Sequence, residues 1–188
     1  LGIALLELGY DLNTTDESQI REAYQLLVDA KDAGVYQMFV MDEVFDKMES
    51  GEAAIAAYYA GDYLSMLENN ENLRYVVPAE GSNWFVDAMC VLKDAPNKEN
   101  AEKWINFIAS TEASLANMDY IWYASPNTEA LEQYPAYYEE TYGEKLDQEL
   151  LDIMAAPQSV LDTCAVYENL PVDTLTLYND LWIELGIS

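Results

Sequence analysis

The chain contains no histidine. This absence excludes Ser-His-Asp and Cys-His catalysis, histidine-ligated metals and the side chain that most often moves protons near neutral pH. The sequence also has neither the Walker loop of P-loop nucleotide-binding proteins nor the GxGxxG motif of dinucleotide-binding folds. Carboxylate pairs alone can hydrolyse glycosides, but no pair stands out among 35 acidic residues. We therefore predict that the protein is not an enzyme and needs no cofactor.

Cysteine is almost as scarce, with Cys90 and Cys164 as its two occurrences. Two cysteines so far apart in sequence do not form a disulfide scaffold or a zinc site. We expect free thiols buried among apolar side chains, and a disulfide between them is the alternative that stays open. The sequence predicts no metal site.

Basic residues are few: 8 lysines and arginines stand against 35 aspartates and glutamates, for a net charge of -27. Such a chain repels nucleic acids and anionic membrane surfaces, so we expect neither as a partner. It attracts cations at low ionic strength, although an acidic surface more often serves solubility. The charge is therefore weak support for a cationic ligand.

Long apolar runs are also absent. The longest, Ala53 to Ala60, is far too short to span a bilayer, so we predict no transmembrane segment in this chain. The sequence opens on Leu1 without a charged-then-apolar signal segment, and we expect a mature or excised piece of a longer protein. Its hydrophobic share of 51% over 188 residues is enough for one core or two small lobes.

What the chain does contain is an alternation of helical and strand-like segments, which predicts an α/β fold. The predicted helices cover Gln19 to Ala33, Asp42 to Glu49, Asp62 to Leu67, a segment capped by Asn97, Thr111 to about Trp122, and a C-terminal stripe that stops at Gly186. The predicted strands are Ala53 to Tyr59, Arg74 to Pro78 and Trp84 to Leu92.

The first predicted helix has a start signal in Asp16, which forms a capping box with Gln19. The preceding residues from Asp11 onward superficially suggest a calcium loop. They lack the glycine and the terminal glutamate of an EF-hand, so we favour the helix cap.

Phe85 and Asp87 lie two residues apart in the last predicted strand, so we expect both side chains on one face. A ring beside a carboxylate suits an alkyl ammonium ligand, because the ring contacts the methylenes while the carboxylate accepts hydrogen bonds from the charged end. A carboxylate in an apolar strand is also costly unless it is paired or solvated. The pair indicates a binding site.

Several segments, in this order and spacing, resemble the spermidine/putrescine-binding proteins of bacterial ABC importers. They are Leu8-Gly9-Tyr10, Asn13-Thr14-Thr15-Asp16, Gly51-Glu52, Tyr59-Ala60-Gly61, Glu80-Gly81 to Asp87, Asn97-Lys98-Glu99, Ile105-Asn106-Phe107 and Tyr123-Ala124-Ser125-Pro126-Asn127. The resemblance implies a periplasmic-binding-protein fold of the second type, in which two α/β lobes close on a ligand. It also implies that this chain is the C-terminal portion, with 1–84 in the second lobe, 85–133 crossing to the first lobe, and 134–188 returning.

The resemblance further implies a set of ligand-binding residues. Tyr59 and Phe85 stand where the family has tryptophans that stack on the ligand, Asp87 matches an aspartate that pairs with an ammonium group, and Tyr123 matches a cleft tyrosine. Glu168 aligns with a glutamine, and a carboxylate there would bind a second ammonium group. On pattern alone, ordinary core or rim is the better explanation of Tyr59.

The function that follows is that of an extracytoplasmic substrate-binding component of an ABC importer, with a polyamine as ligand in an interlobe cleft and a permease as partner. Two alternatives stay open: an acidic cell-surface interaction domain of the same fold, and a binding protein for another small solute.

Overall fold

The structure, a computed structural model, describes residues 1–187 and is mostly helical in that range. Its ten helices are α1 (Gly2–Glu7), α2 (Glu17–Asp32), α3 (Glu43–Glu49), α4 (Ala60–Leu67), α5 (Lys98–Ile108), α6 (Thr111–Ile121), α7 (Thr128–Tyr142), α8 (Gln148–Met154), α9 (Gln158–Leu161) and α10 (Val172–Ile187). Two short strands, β1 (Ser82–Asn83) and β2 (Cys164–Ala165), form one parallel pair.

The predicted helices are confirmed, and α2 shows why. The Asp16 carboxylate accepts a hydrogen bond from the Ser18 backbone N–H at 2.8 Å, and Gly34 follows the helix at φ +72°. The capping box is wrong in its second half: the Gln19 side chain accepts from the Thr14 hydroxyl at 2.6 Å. The Asp16 N–H in turn donates to that same Thr14 hydroxyl at 3.2 Å. The Thr14 hydroxyl thus accepts the hydrogen bond from the Asp16 N–H that a capping box would assign to the Gln19 side chain.

Two details of other helices differ from expectation. Asn97 is the N-cap of α5, but its side chain makes no capping hydrogen bond there. Trp104 in α5 is 59% exposed, and α5 buries none of its side chains fully. Gly186 lies within α10 instead of ending it.

The three predicted strands are wrong. Residues 53–59, 74–78 and 84–92 have no regular secondary structure, and Ile55 is 91% exposed. The physical reason is that a strand needs a neighbour for its ladder of hydrogen bonds, and within the described part of the chain these segments form no ladder beyond the Trp84 N–H, which donates to the Ala165 carbonyl. A ladder does form between Ser82 and Cys164 and between Asn83 and Ala165.

The chain divides into two compact units, each made of separated segments. Unit 1 comprises Leu1–Glu43, Val76–Phe85 and the chain from Gln158 onward, and unit 2 comprises Val44–Tyr75 and Val86–Pro157. The assignment of 1–84, 85–133 and 134–188 to the lobes of a whole protein stays a prediction.

Each unit has its own hydrophobic core, formed by helices packed against one another. In unit 1, helices α1, α2 and α10 contribute Ala4, Leu5, Ala23, Leu27 and Leu185. In unit 2, helices α4, α6, α7 and α8 contribute Leu64, Leu115, Met118, Ala130, Tyr134 and Met154. Full burial of one such large side chain contributes about 1.5 to 3 kcal/mol, so these helices are firmly placed.

Both cysteines are free thiols, but neither is buried as expected. Cys90 is exposed and Cys164 is half-buried, with its Sγ 3.3 Å from the Val160 carbonyl oxygen. Cys90 lies in the segment 84–92, which has no regular structure, and Cys164 lies in β2, which pairs with β1 over two residues. Neither position is enclosed by a packed core.

Candidate functional site

The structure distributes the predicted ligand residues over both units. Phe85 and Glu168 belong to unit 1, whereas Tyr59, Asp87 and Tyr123 belong to unit 2.

In unit 2, Tyr59 stands at the start of α4. It is the N-cap residue with extended backbone angles, φ -80° and ψ 146°, and its side chain is 39% exposed. Its ring centroid lies 5.1 Å from that of Tyr58. The preceding segment is not a strand, yet Tyr59 still presents an aromatic surface at the beginning of a well-packed helix.

Tyr123 follows α6 through an unusual turn. Trp122 ends that helix in the left-handed conformation, at φ 58° and ψ 30°, which redirects the chain. The Tyr123 hydroxyl then donates a hydrogen bond to Asp62 Oδ1 at 3.0 Å. Burial, followed by the negative charge of Asp62, raises the pKa of Tyr123 well above its usual value. The hydroxyl therefore stays protonated and acts as a donor at physiological pH.

Gly61 makes this contact sterically possible. It is buried, and a Cβ atom at this position would overlap the Cδ2 and Cε2 atoms of the Tyr123 ring. Any side chain here would push the ring away from Asp62. The sequence therefore needs glycine at 61 for Tyr123 to lie against the first turn of α4.

Asp87 is exposed, in a part of unit 2 without regular structure. Because the expected strand is absent, alternation of side chains does not establish that Phe85 and Asp87 share a face. Their pairing stays a prediction.

In unit 1, Phe85 and Glu168 come shortly after the two paired strands. The ladder extends to a hydrogen bond from the Trp84 N–H to the Ala165 carbonyl at 3.0 Å. Because the strands are parallel, the chain leaves both at the same edge, which is where ligands bind in many α/β proteins. Phe85 is 43% exposed and Glu168 is exposed, so both are open to solvent.

Gly81 allows β1 to begin beside β2. Its φ is +103°, and a Cβ atom would lie 2.6 Å from the Thr163 carbonyl oxygen. Its N–H donates to the Pro78 carbonyl at 3.1 Å, closing a turn. Glycine at 81 is thus required on both conformational and steric grounds.

Asn13 holds the segment that carries Glu168. Its Nδ2 donates to the Val166 carbonyl at 2.8 Å, and its Oδ1 accepts from the Glu168 backbone N–H at 2.8 Å. Sequence places Asn13 among the residues before the helix cap and in a segment that carries the family resemblance, but no local pattern signals its distant partners. The Tyr178 hydroxyl fixes the same loop by donating to the Thr14 carbonyl at 3.1 Å.

Sequence reasoning also missed Asp62, which it placed only at the start of a helix. The available signal was its position directly after Gly61, three residues from Tyr59.

Across residues 1–187 no group of three or more histidine, cysteine or acidic side chains is arranged to hold a metal ion. None of the described helices has the length and apolarity that crossing a bilayer requires.

Comparison with known proteins gives concordant matches. Over 128 residues the chain is 30% identical to the spermidine/putrescine-binding periplasmic protein of Salmonella typhimurium strain LT2, which covers 68% of this chain and 36% of that protein. Two solved structures are each 31% identical and cover 99% of this chain and 54% of theirs. One, described as a spermidine/putrescine ABC transporter of Listeria monocytogenes, has a TM-score of 0.83. The other, the spermidine/putrescine ABC transporter substrate-binding protein of Streptococcus pneumoniae, has a TM-score of 0.76.

These matches confirm the predicted fold class, that of part of a periplasmic binding protein. The chain spans about half the length of the solved relatives, and its 128 aligned residues span 36% of the Salmonella protein. The family model for bacterial extracellular solute-binding proteins matches residues 1–141. The chain therefore belongs to the family of bacterial extracellular solute-binding proteins.

Proposed function

We propose that this chain is part of the extracytoplasmic substrate-binding protein of an ABC importer for a polyamine such as putrescine or spermidine. The observation that carries the proposal is the likeness over 99% of the chain to a substrate-binding protein named for these ligands. The permease of the importer is the protein partner, and the chain performs no catalytic step.

Each candidate residue has a role in a cleft lined by carboxylates and aromatic rings. Asp87 and Glu168 accept hydrogen bonds from the ammonium groups, and Tyr59, Phe85 and Tyr123 contact the methylenes. Partial exposure of the three rings and exposure of the two carboxylates support these roles, because a ligand can reach them. A charge-assisted hydrogen bond contributes about 1.5 to 3 kcal/mol, and a desolvated cation–π contact contributes up to about 2 kcal/mol.

Calorimetric titration with putrescine, spermidine and 1,4-butanediol tests the proposal. The protein to titrate is the full-length natural protein that includes this chain. We expect saturable binding of both amines and none of the uncharged diol. Asp87→Ala should weaken amine binding by roughly tenfold or more, since one charged hydrogen bond is lost. Asp94→Ala, which removes another exposed aspartate of unit 2, is the matched control and should leave the affinity unchanged.

Salt distinguishes this proposal from a diffuse acidic surface. Contacts within a cleft are screened weakly, so 0.3 M NaCl should reduce the affinity only modestly. Binding that fades with salt and weakens equally in Asp87→Ala and Asp94→Ala would instead favour the acidic interaction domain. Equal affinity for the diol and the diamine would favour a different solute.

A further inference from the structure

We infer that Glu68 is a positioning residue for the proposed ligand site, because its carboxylate binds the Trp122 indole and thereby holds the turn that carries Tyr123. The inference rests on the proposed function and deepens it, since Tyr123 is one of the side chains proposed to contact the ligand. Three observations support it: the conformation of Trp122, the contacts of its indole, and the attachment of two consecutive residues to one helix.

Trp122 has a backbone conformation that usually requires glycine. It ends α6 in the left-handed region, at φ 58° and ψ 30°, and its N–H donates to the Met118 carbonyl at 2.9 Å. Helix α7 ends in the same region, at φ 76°, but with Gly143. In the part of the chain that the structure describes, Trp122 is the one non-glycine residue with a positive φ. A Cβ atom disfavours this conformation by roughly tenfold, so contacts of the indole must offset the cost.

The indole of Trp122 makes these contacts with α4, its C-cap residue and α7. Its Nε1 donates to Glu68 Oε1 at 3.2 Å. Its ring packs against the core of unit 2, with the centroid 6.3 Å from that of Tyr138 on α7. The ring also lines a recess together with Leu64 and Leu67 on α4. The apolar surface of the indole and its single donor are thus both accommodated, and Glu68 is the acceptor.

Two consecutive residues attach the turn to opposite ends of α4. Trp122 binds Glu68, which directly follows the last residue of this helix. Tyr123 donates to Asp62 Oδ1 in the first turn at 3.0 Å. The two acceptors are six positions apart, which is about 9 Å along the helix axis. One hydrogen bond would let the turn pivot, whereas two at this separation fix the direction of the Tyr123 ring. A ring that is already in place lowers the entropic cost of binding a ligand.

Glutamine and leucine at position 68 separate the hydrogen bond from the charge. Glu68→Gln keeps an acceptor for the indole N–H, whereas Glu68→Leu has a side chain of similar size without an acceptor. Both substitutions remove one negative charge, so any general electrostatic effect is common to them. Glu71→Leu removes another exposed carboxylate of unit 2 and is the matched control.

Fluorine NMR of the full-length natural protein, labelled with 3-fluorotyrosine, follows the position of Tyr123. The signal of residue 123 is the one that Tyr123→Phe abolishes. We expect this signal to keep its chemical shift in Glu68→Gln and Glu71→Leu, and to move or broaden in Glu68→Leu. A contact that only stabilises the fold would lower the urea midpoint of Glu68→Leu and leave the Tyr123 signal unchanged. That result overturns the inference.

Calorimetric titration of putrescine into the same protein measures the consequence for binding. We expect Glu68→Leu to weaken binding by about tenfold and Glu68→Gln to stay within about twofold of the wild type. In a Tyr123→Ala background, Glu68→Leu should change the affinity by less than about twofold, because no ring is left to position. The same loss with and without Tyr123 would show that Glu68 acts independently of this ring, which overturns the inference.

Failure of the proposed function gives a different pattern. Wild-type protein that binds no putrescine overturns the proposed function, and the positioning role with it. Wild-type binding that Glu68→Leu leaves unchanged overturns the inference alone. If Glu68→Leu does not fold, Trp122→Phe replaces it, because phenylalanine lacks the N–H donor and keeps a ring. This variant should move the Tyr123 signal and weaken putrescine binding by about tenfold, and wild-type behaviour in either measurement overturns the inference.

Discussion

At the scale of single residues, the most informative contact is the one made by Asn13. One carboxamide joins the loop before α2 to two backbone atoms of the segment after β2, which are 153 and 155 residues away in sequence. A side chain that both donates and accepts can satisfy a carbonyl and an N–H where no sheet continues. Asn13 therefore takes over the role of a neighbouring strand for Val166 and Glu168.

We predict that Asn13→Ala lowers the free energy of unfolding by about 1 to 3 kcal/mol, because two hydrogen bonds are lost and two backbone groups lose their partner. Urea unfolding followed by circular dichroism measures the change. Asn179→Ala is the control: Asn179 is exposed on α10, so its replacement should alter stability by no more than about 0.5 kcal/mol. Equal effects of the two substitutions would show that the Asn13 contacts contribute nothing.

Sequence could identify candidate residues by type but not by their partners. Tyr123 was predicted from its motif, yet its hydrogen bond goes to Asp62, 61 residues earlier. Asp62 and Asn13 both act on distant parts of the chain, and local spacing carries no information on such contacts. The residues that were missed are therefore those whose roles depend on tertiary structure.

At the scale of secondary structure, helices were predicted well and strands poorly, for one physical reason. A helix satisfies its backbone within a few residues, so its caps and periodicity are visible locally. A strand depends on a neighbour that can lie anywhere in the chain. Helices α1, α7, α8 and α9 were missed, although Asn127 and Asp147 cap α7 and α8 with side-chain hydrogen bonds.

The cap of α2 predicts a pH dependence. Hydrogen bonds from the Ser18 hydroxyl and N–H, at 2.6 Å and 2.8 Å, lower the pKa of Asp16. A pKa lowered by folding means that Asp16 stabilises the native state above its unfolded pKa of about 4, and that this contribution is lost as the pH falls through the folded value. Asparagine caps helices without titrating.

We therefore expect the difference in urea midpoint between wild type and Asp16→Asn to shift in favour of the variant between pH 6 and pH 3. Taking the difference at each pH cancels the titration of the other carboxylates, which both proteins share. A difference that does not change with pH would show that the Asp16 charge adds nothing to the cap.

At the scale of the whole molecule, charge is the dominant property. A net charge of -27 makes the chain repel itself, and exposed ion pairs such as Arg21–Glu17 and Lys103–Glu99 offset little of this. Salt screens such repulsion, because the Debye length falls from about 30 Å at 0.01 M to about 10 Å at 0.1 M. The folded state is more compact than the unfolded chain, so it gains more from screening.

We predict that NaCl between 0.01 and 0.3 M raises the thermal midpoint at pH 7 by several degrees. The control is the same titration near pH 4.1, the isoelectric point of the sequence, where net repulsion vanishes. Differential scanning calorimetry measures both series. A salt effect of the same size at both values would exclude charge repulsion as its cause.

The family and fold class could be predicted from sequence because they rest on the order of many short motifs, each tolerant of local error. The composition of the two units could not be predicted. Their boundaries near residues 43, 75, 85 and 157 fall where no proline- or glycine-rich linker marks a change, since the chain passes repeatedly between units. The lobe assignment of a whole protein stays a prediction.

This interleaving of segments has a consequence for synthesis on the ribosome. The helices that form the core of unit 2 are all translated by Met154, so that unit can fold first. Unit 1 must wait, because β1 has no partner until β2 emerges and Leu27 lacks Leu185 until α10 is complete. A nascent chain paused near residue 157 would therefore expose the apolar face of α2, and that interval is when we expect chaperone binding.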